Sequence, residues 1–157
     1  MNAARLIATT AILIFSSAVF AHSFKKGDIS IDHPWTRATP DGATVGAGYL
    51  KITNNGKEAD KLTGGTFDGA ETVEMHEMKM TGDTMIMRQL KDGLEIKAGE
   101  TVEFAPMSFH LMFLGLKKSI AEGDDVKGTL IFEKAGAVDV TYKVEPFGAM
   151  DSKDDKH

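Results

Sequence analysis

The sequence predicts an all-β domain, an antiparallel sandwich or barrel, on three observations. Short segments with two-residue hydrophobic alternation recur along the chain, the period of half-buried strands. Glycine, asparagine, aspartate and proline turn signals separate most of them. The one helix-like stretch, Lys117 to Glu122, is too short to make a convincing helix. The 157 residues suit a single domain, and no internal repeat marks a second one.

The elements follow in order. Ile29 and Ile31 open an alternating segment that ends near Trp35, before the turn residues Pro40-Asp41-Gly42. Val45 to Thr53 is apolar and glycine-containing, and Asn54-Asn55-Gly56 closes it with a strong turn signal. Further strands are expected over Asp60 to Phe67, Glu71 to Met80, Thr84 to Arg88, Thr101 to Phe104, Ser108 to Leu114, Val126 to Phe132 and Val138 to Val144. From Gly148 to His157 the chain is small and charged, which predicts a flexible polar tail.

The first residues read as a secretory signal peptide. Arg5 is the only charge among the first 24 residues, and it precedes an apolar run from Leu6 to Phe20. Val19-Phe20-Ala21 then offers small or modest residues where a signal peptidase cuts. The run is short of the roughly 20 residues a membrane span needs, so no stable membrane insertion is expected. Residues 1–21 are thus assigned to the signal, 22–147 to the domain and 148–157 to the tail. The mature chain begins at His22 and carries 17 basic against 23 acidic residues. Export implies a periplasmic location.

Composition removes several function classes. With no cysteine, the chain has no disulfide framework, thiolate zinc site, iron–sulfur cluster or cysteine nucleophile. A blue-copper electron-transfer centre is excluded for the same reason. The acidic balance argues against nucleic-acid partners. No Gly-x-Ser-x-Gly or His-Glu-x-x-His motif is present, so no enzymatic activity is expected.

Methionine is concentrated instead. Seven of nine fall in the 38 residues from Met75 to Met112, together with His76 and His110. Strand parity sorts them. In the first segment His76, Met78 and Met80 share one face, while Val73 and Met75 point the other way, toward the core. Met85 and Met87 share a face of the next strand. In the later strand Phe109, Leu111 and Phe113 form the apolar face, and His110 and Met112 the opposite one. Two strands therefore each present a histidine and a methionine two residues apart. The competing explanation is that methionine merely fills awkward gaps in a small core.

Thioether and imidazole are neutral ligands that together suit Cu(I). Zinc recruits thiolates, several imidazoles or carboxylates, and calcium or magnesium want oxygen. Protons compete only at the histidines, so affinity should fall as pH drops through roughly 6.5. His76, Met87, His110 and Met112 would supply two imidazoles and two thioethers. Met78 and Met85 are alternatives, with Met80 and Met107 weaker ones.

At these residues the chain resembles the periplasmic copper chaperones of the PCu(A)C family. Their pattern is a histidine, a methionine eleven residues on, and a distant His-x-Met, carried here by His76, Met87, His110 and Met112. Trp35-Thr36-Arg37-Ala38-Thr39-Pro40, Val45-Gly46-Ala47-Gly48-Tyr49-Leu50, Val73-Glu74-Met75-His76-Glu77 and Met112-Phe113-Leu114-Gly115-Leu116 also match. The likeness spans about Ile29 to Tyr142. It implies a cupredoxin-like β sandwich holding Cu(I) near one exposed end. It further implies delivery to the binuclear copper centre of cytochrome c oxidase, or exchange with a thiol-bearing partner chaperone. One departure is Ala105-Pro106-Met107-Ser108-Phe109, where family members often carry Pro-Gly-Gly-Tyr.

Outside this set, His22 would offer an amino group and an imidazole after cleavage, a secondary Cu(II) chelate. His33 is expected to be extended by Pro34, solvent-facing, and within reach of that terminus. Met150 and His157 could add a loose contact from the tail. Trp35 is expected to pack in the core or at an edge, and Arg37 to be a surface or structural charge. Two other readings compete with a copper carrier: a copper buffer with the same site, and an envelope interaction domain with methionine in its core.

Overall fold

In a computed structural model, which describes residues 22–152, the chain is all-β. Its strands are β1 (Ser23–Lys26), β2 (Ile29–Arg37), β3 (Val45–Asn54), β4 (Asp60–Phe67), β5 (Thr72–Thr81), β6 (Thr84–Gln89), β7 (Leu94–Ile96), β8 (Thr101–Phe104), β9 (Phe109–Leu114), β10 (Asp125–Phe132) and β11 (Gly136–Glu145). Nine of these coincide with the expected segments to within two residues at each end. The additions are β1 and β7, four and three residues long. The assigned signal peptide, residues 1–21, and His157 lie outside the described residues.

The strands join in the order β6-β5-β9-β8-β3-β2-β11-β10-β4-β7, with β1 added to β2 and β9 also paired to β3. Pairing is antiparallel throughout except between β2 and β11 and between β8 and β9. Both parallel contacts are short, so they modify an otherwise antiparallel design.

β2 makes the corner. Its first half pairs with β1 and β3, and Trp35, Thr36 and Arg37 then pair with β11 as well. Between the halves, register shifts at a bulge between Asp32 and Trp35. His33 sits in that bulge at φ 49°, so it is left-handed and not extended, and it is half-buried. The proline after it cannot donate to a ladder, which favours a break in pairing there. The His33 amide donates to the His22 carbonyl at 2.8 Å, which does bring those two histidines together.

The sheet folds over one core. Phe67 from β4 stacks on Phe113 from β9 with centroids 3.8 Å apart, and Tyr142 from β11 meets both rings edge-on at 5.4 Å. Ile31, Ile52, Leu62, Ile96, Leu111 and Leu130 complete its centre. Burial pushes the Tyr142 phenol far above its ordinary range.

Gly48 is required here. A Cβ at that position would lie 2.4 Å from Cζ of Phe113, so the β3–β9 pair closes only over a bare backbone. Gly48→Ala is expected to lower stability by about 3 kcal/mol or more, at the upper end of overpacking costs. Urea unfolding would show it as a lower midpoint; an unchanged midpoint would mean that the ring can move aside.

Candidate metal centre

The register of β5 against β9 assembles the site. Residues pair as Glu74 with Met112, Met75 with Leu111, and His76 with His110. Met75 and Leu111 therefore point into the core, and their neighbours point out on one common face. His76 and His110 lie directly across from each other, rings 5.7 Å apart at an interplanar angle of 25°. Met112 follows His110 by two residues on the same face. On the other side of β5, β6 adds Gln89 opposite His76, Met87 opposite Met78, and Met85 opposite Met80.

The histidines and Met112 thus occupy adjacent positions. Met87 stands one strand further out, diagonal to His76, with Met78 between it and β9. Met78 lies two residues along β5 from His76 and Met87 diagonally across from it, so both are candidates for one thioether position, which spacing along the chain does not reveal.

Each imidazole is oriented by an acceptor. Nε2 of His76 lies 2.8 Å from a carboxylate oxygen of Glu74, and an ionised carboxylate only accepts, so Nε2 carries the proton. The lone pair is then on Nδ1, which is buried with no hydrogen-bond partner among the described residues. Nδ1 of His110 donates to the Ser108 carbonyl at 3.1 Å, leaving the lone pair on Nε2. Both rings show the arrangement of metal-ligating histidines, one nitrogen tied to an acceptor and the other uncommitted. Glu74 is the residue the sequence reading missed. Its signal was the Glu-x-His spacing, which puts a carboxylate beside the ring on the same strand face.

Exposure separates the methionines. Met75 is 5% exposed and belongs to the core, whereas Met80 is 55%, Met85 38%, Met87 53% and Met107 63% exposed. Packing therefore accounts for Met75 and fails for those four. No group of three or more His, Asp or Glu residues able to hold a metal ion occurs among the described residues. The donors gathered on this face are chiefly imidazole and thioether, with Glu74 engaged by His76.

Beyond β9 the same face continues over β3 and β2. Trp35 and Tyr49 pack there with ring centroids 4.5 Å apart, both buried. The Arg37 guanidinium lies 5.5 Å from the Tyr49 ring centre. Burial raises the Tyr49 pKa, and Arg37 opposes that. Arg37 also donates from Nε to the Ala149 carbonyl at 2.6 Å and from Nη2 to the Met150 sulfur at 3.3 Å. It is therefore a structural charge that ties the first tail residues to β2. Met150 is accordingly engaged by Arg37, two strands away from Met112.

The fold is cupredoxin-like and of the PCuAC type. The copper-bound PCuAC domain from PmoF2 is 28% identical, with a TM-score of 0.68 over 80% of this chain and 98% of that one. The apo form of the same domain gives 27% and 0.70 over 83% and 100%. The chain belongs to the LpqE-like family, described as "Putative lipoprotein LpqE-like", which matches residues 29–144. Lxx21020 of Leifsonia xyli subsp. xyli, which carries the same lipoprotein designation, is 28% identical over 146 residues, 92% of this chain and 87% of its own. No helix among the described residues is long and apolar enough to cross a membrane.

The pKa of His110 is lowered, first by burial, with the charge of His76 adding to it and the Ser108 hydrogen bond opposing. A histidine with a depressed folded pKa stabilises the fold fully above its unfolded value, about 6.5. As pH falls below that, the unfolded chain takes up a proton that the folded chain resists, and stability declines until the folded pKa is passed. Urea midpoints at pH 7.5 and 5.5 should therefore differ more in the wild type than in His110→Asn. Equal differences would mean that His110 titrates normally.

Proposed function

We propose that this domain is a copper carrier of the cell envelope that binds Cu(I) through His76, His110, Met112 and Met87, with Met78 the competing thioether. The observation that carries this reading is the facing imidazole pair. Each ring has its tautomer set by an acceptor and its lone pair uncommitted, and thioethers flank both on one sheet face. The likeness to the copper-bound PmoF2 domain supports it.

Four neutral ligands favour the monovalent ion, since they add no negative charge to offset a second positive one. They also leave the metal open to exchange. The two imidazoles are largely covered, but Met87 on the edge strand β6 is 53% exposed, so an acceptor can approach from solvent on the thioether side. Its thiolates would displace thioethers and imidazoles one at a time: a Cu–S(thiolate) bond forms as each Cu–S(thioether) or Cu–N bond breaks. The oxidation state is unchanged, and the acceptor thiol gives up its proton. The chain is a carrier in this scheme and not a catalyst.

The acceptor is the binuclear copper centre of cytochrome c oxidase, or a thiol-bearing chaperone that serves it, and transfer takes place in the periplasm after removal of residues 1–21. A secondary Cu(II) contact falls to His22 and its freed amino group, a reading supported by the hydrogen bond from the His33 amide to the His22 carbonyl. These 157 residues contain no cysteine thiol to which a lipid could be attached.

Competition with a chromophoric chelator should give one tightly held Cu(I), weakened at least 100-fold in His110→Ala/Met112→Leu; unchanged binding would remove the site. X-ray absorption of the Cu(I) form should report mixed nitrogen and sulfur ligation. Glu74→Gln, which loosens the orientation of His76 while keeping every ligand, should cost 10–100-fold in affinity. An unaltered constant would show that Glu74 does not position the ring.

A further inference from the structure

The β5–β6 hairpin runs past the imidazole pair, and its tip repeats the soft-donor theme without histidine. Met78 pairs with Met87 and Met80 with Met85 in register, so four thioethers form two cross-strand rungs on one face. Side chains directly opposite have Cβ atoms about 4.5–5.5 Å apart, a span that two thioethers can close over one ion. The reverse face is different in kind: Glu77 pairs with Arg88 at 2.5 Å, and Lys79 with Ile86.

A fifth sulfur, that of Met107, is carried by a turn beside the Met78 end of the hairpin. Ala105-Pro106-Met107-Ser108 is a turn closed by the Ser108 amide on the Ala105 carbonyl at 3.1 Å. Met107 takes its third position at φ 69°, where glycine or asparagine is usual. The Met78 amide donates to the Ser108 carbonyl at 3.2 Å, so this turn lies alongside β5 where the rungs begin. A methionine in a left-handed, solvent-exposed position contributes no packing that would offset its strain.

We propose that Met80 and Met85, with Met107, form a second soft-metal site that takes Cu(I) or Ag(I). It extends the copper reading above but uses separate residues. Four residues of strand separate its rung from His76, about 13 Å at strand rise, too far to share one ion. The Met78–Met87 rung lies midway. The hairpin is thereby a graded path, from thioethers alone at the exposed tip to imidazoles at the sheet, along which an ion gains nitrogen ligands as it moves inward. A protein-docking surface carries its energy on tryptophan, tyrosine and arginine anchors, whereas all four positions on this face are methionine.

The test is Ag(I) titration of the full mature chain labelled at the methionine methyl groups, followed by NMR. The first equivalent should move Met112 and Met87 or Met78, and the second should move Met80, Met85 and Met107. Met80→Leu/Met85→Leu keeps the hairpin apolar and should weaken the second phase at least tenfold, with the first changed less than twofold. His110→Ala/Met112→Leu should abolish the first phase and leave the second. Tip methyl groups that stay still through several equivalents, or a second phase that survives the double leucine variant, would overturn the proposal. If instead only the first phase were absent in the wild type, the copper reading of the imidazole site would fail while this one stood.

Discussion

Everything about the site depends on how β5 is registered against β9. Met75 pairs with Leu111 on the core face, which obliges His76 to pair with His110 on the opposite face, where both rings are still largely covered, His110 to 8% exposure and the His76 side chain to 12%. A slip of β9 by one residue would expel Phe113 and Leu111 from the core and turn His110 and Met112 into it, so the hydrophobic face enforces the polar one. Phe113 anchors that register twice over, stacked on Phe67 and fitted over Gly48. The packing that holds the sandwich together therefore also sets the spacing of the donors.

In the copper carrier proposed above, the donors suit reversible binding: imidazole and thioether need no counter-charge when empty, and the thiolates of an acceptor would displace them. What the fold adds is orientation: Glu74 and the Ser108 carbonyl each take one ring N–H, so neither lone pair must be freed before an ion binds. Desolvation depresses the pKa of His110 and keeps that ring neutral at ordinary pH. The Trp35–Tyr49 pair finishes the same face, and Arg37 beside it ties down the start of the tail.

Much of this was legible in the chain. Alternation and turn residues marked nine strands because most are half-buried, although β6 is exposed at all but its last residue and is bounded only by its turn signals; parity separated Met75 from His76 because period two admits no ambiguity within a strand. The strand β7 escaped because it is only three residues long, and β1 because none of its four residues is buried, whereas the equally short β8 alternates cleanly. His33 escaped for a different reason: its left-handed conformation answers to a bulge that lets β2 change partners. Glu74 was overlooked since a carboxylate two residues from a histidine has no meaning until the strand is known to be flat and outward-facing.

The sequence by itself determined the all-β class, the inward and outward faces, the absence of thiolate chemistry and the residues from which a soft-metal site could be drawn. Those properties follow from residue type and a two-residue period, which are local. Only the tertiary structure decided which candidates meet. It put the two histidines in one cross-strand pair, set Met87 a strand further out behind Met78, and bound Met150 to Arg37. Strand order and register decide such proximity, and they are fixed by core packing between segments far apart in the chain.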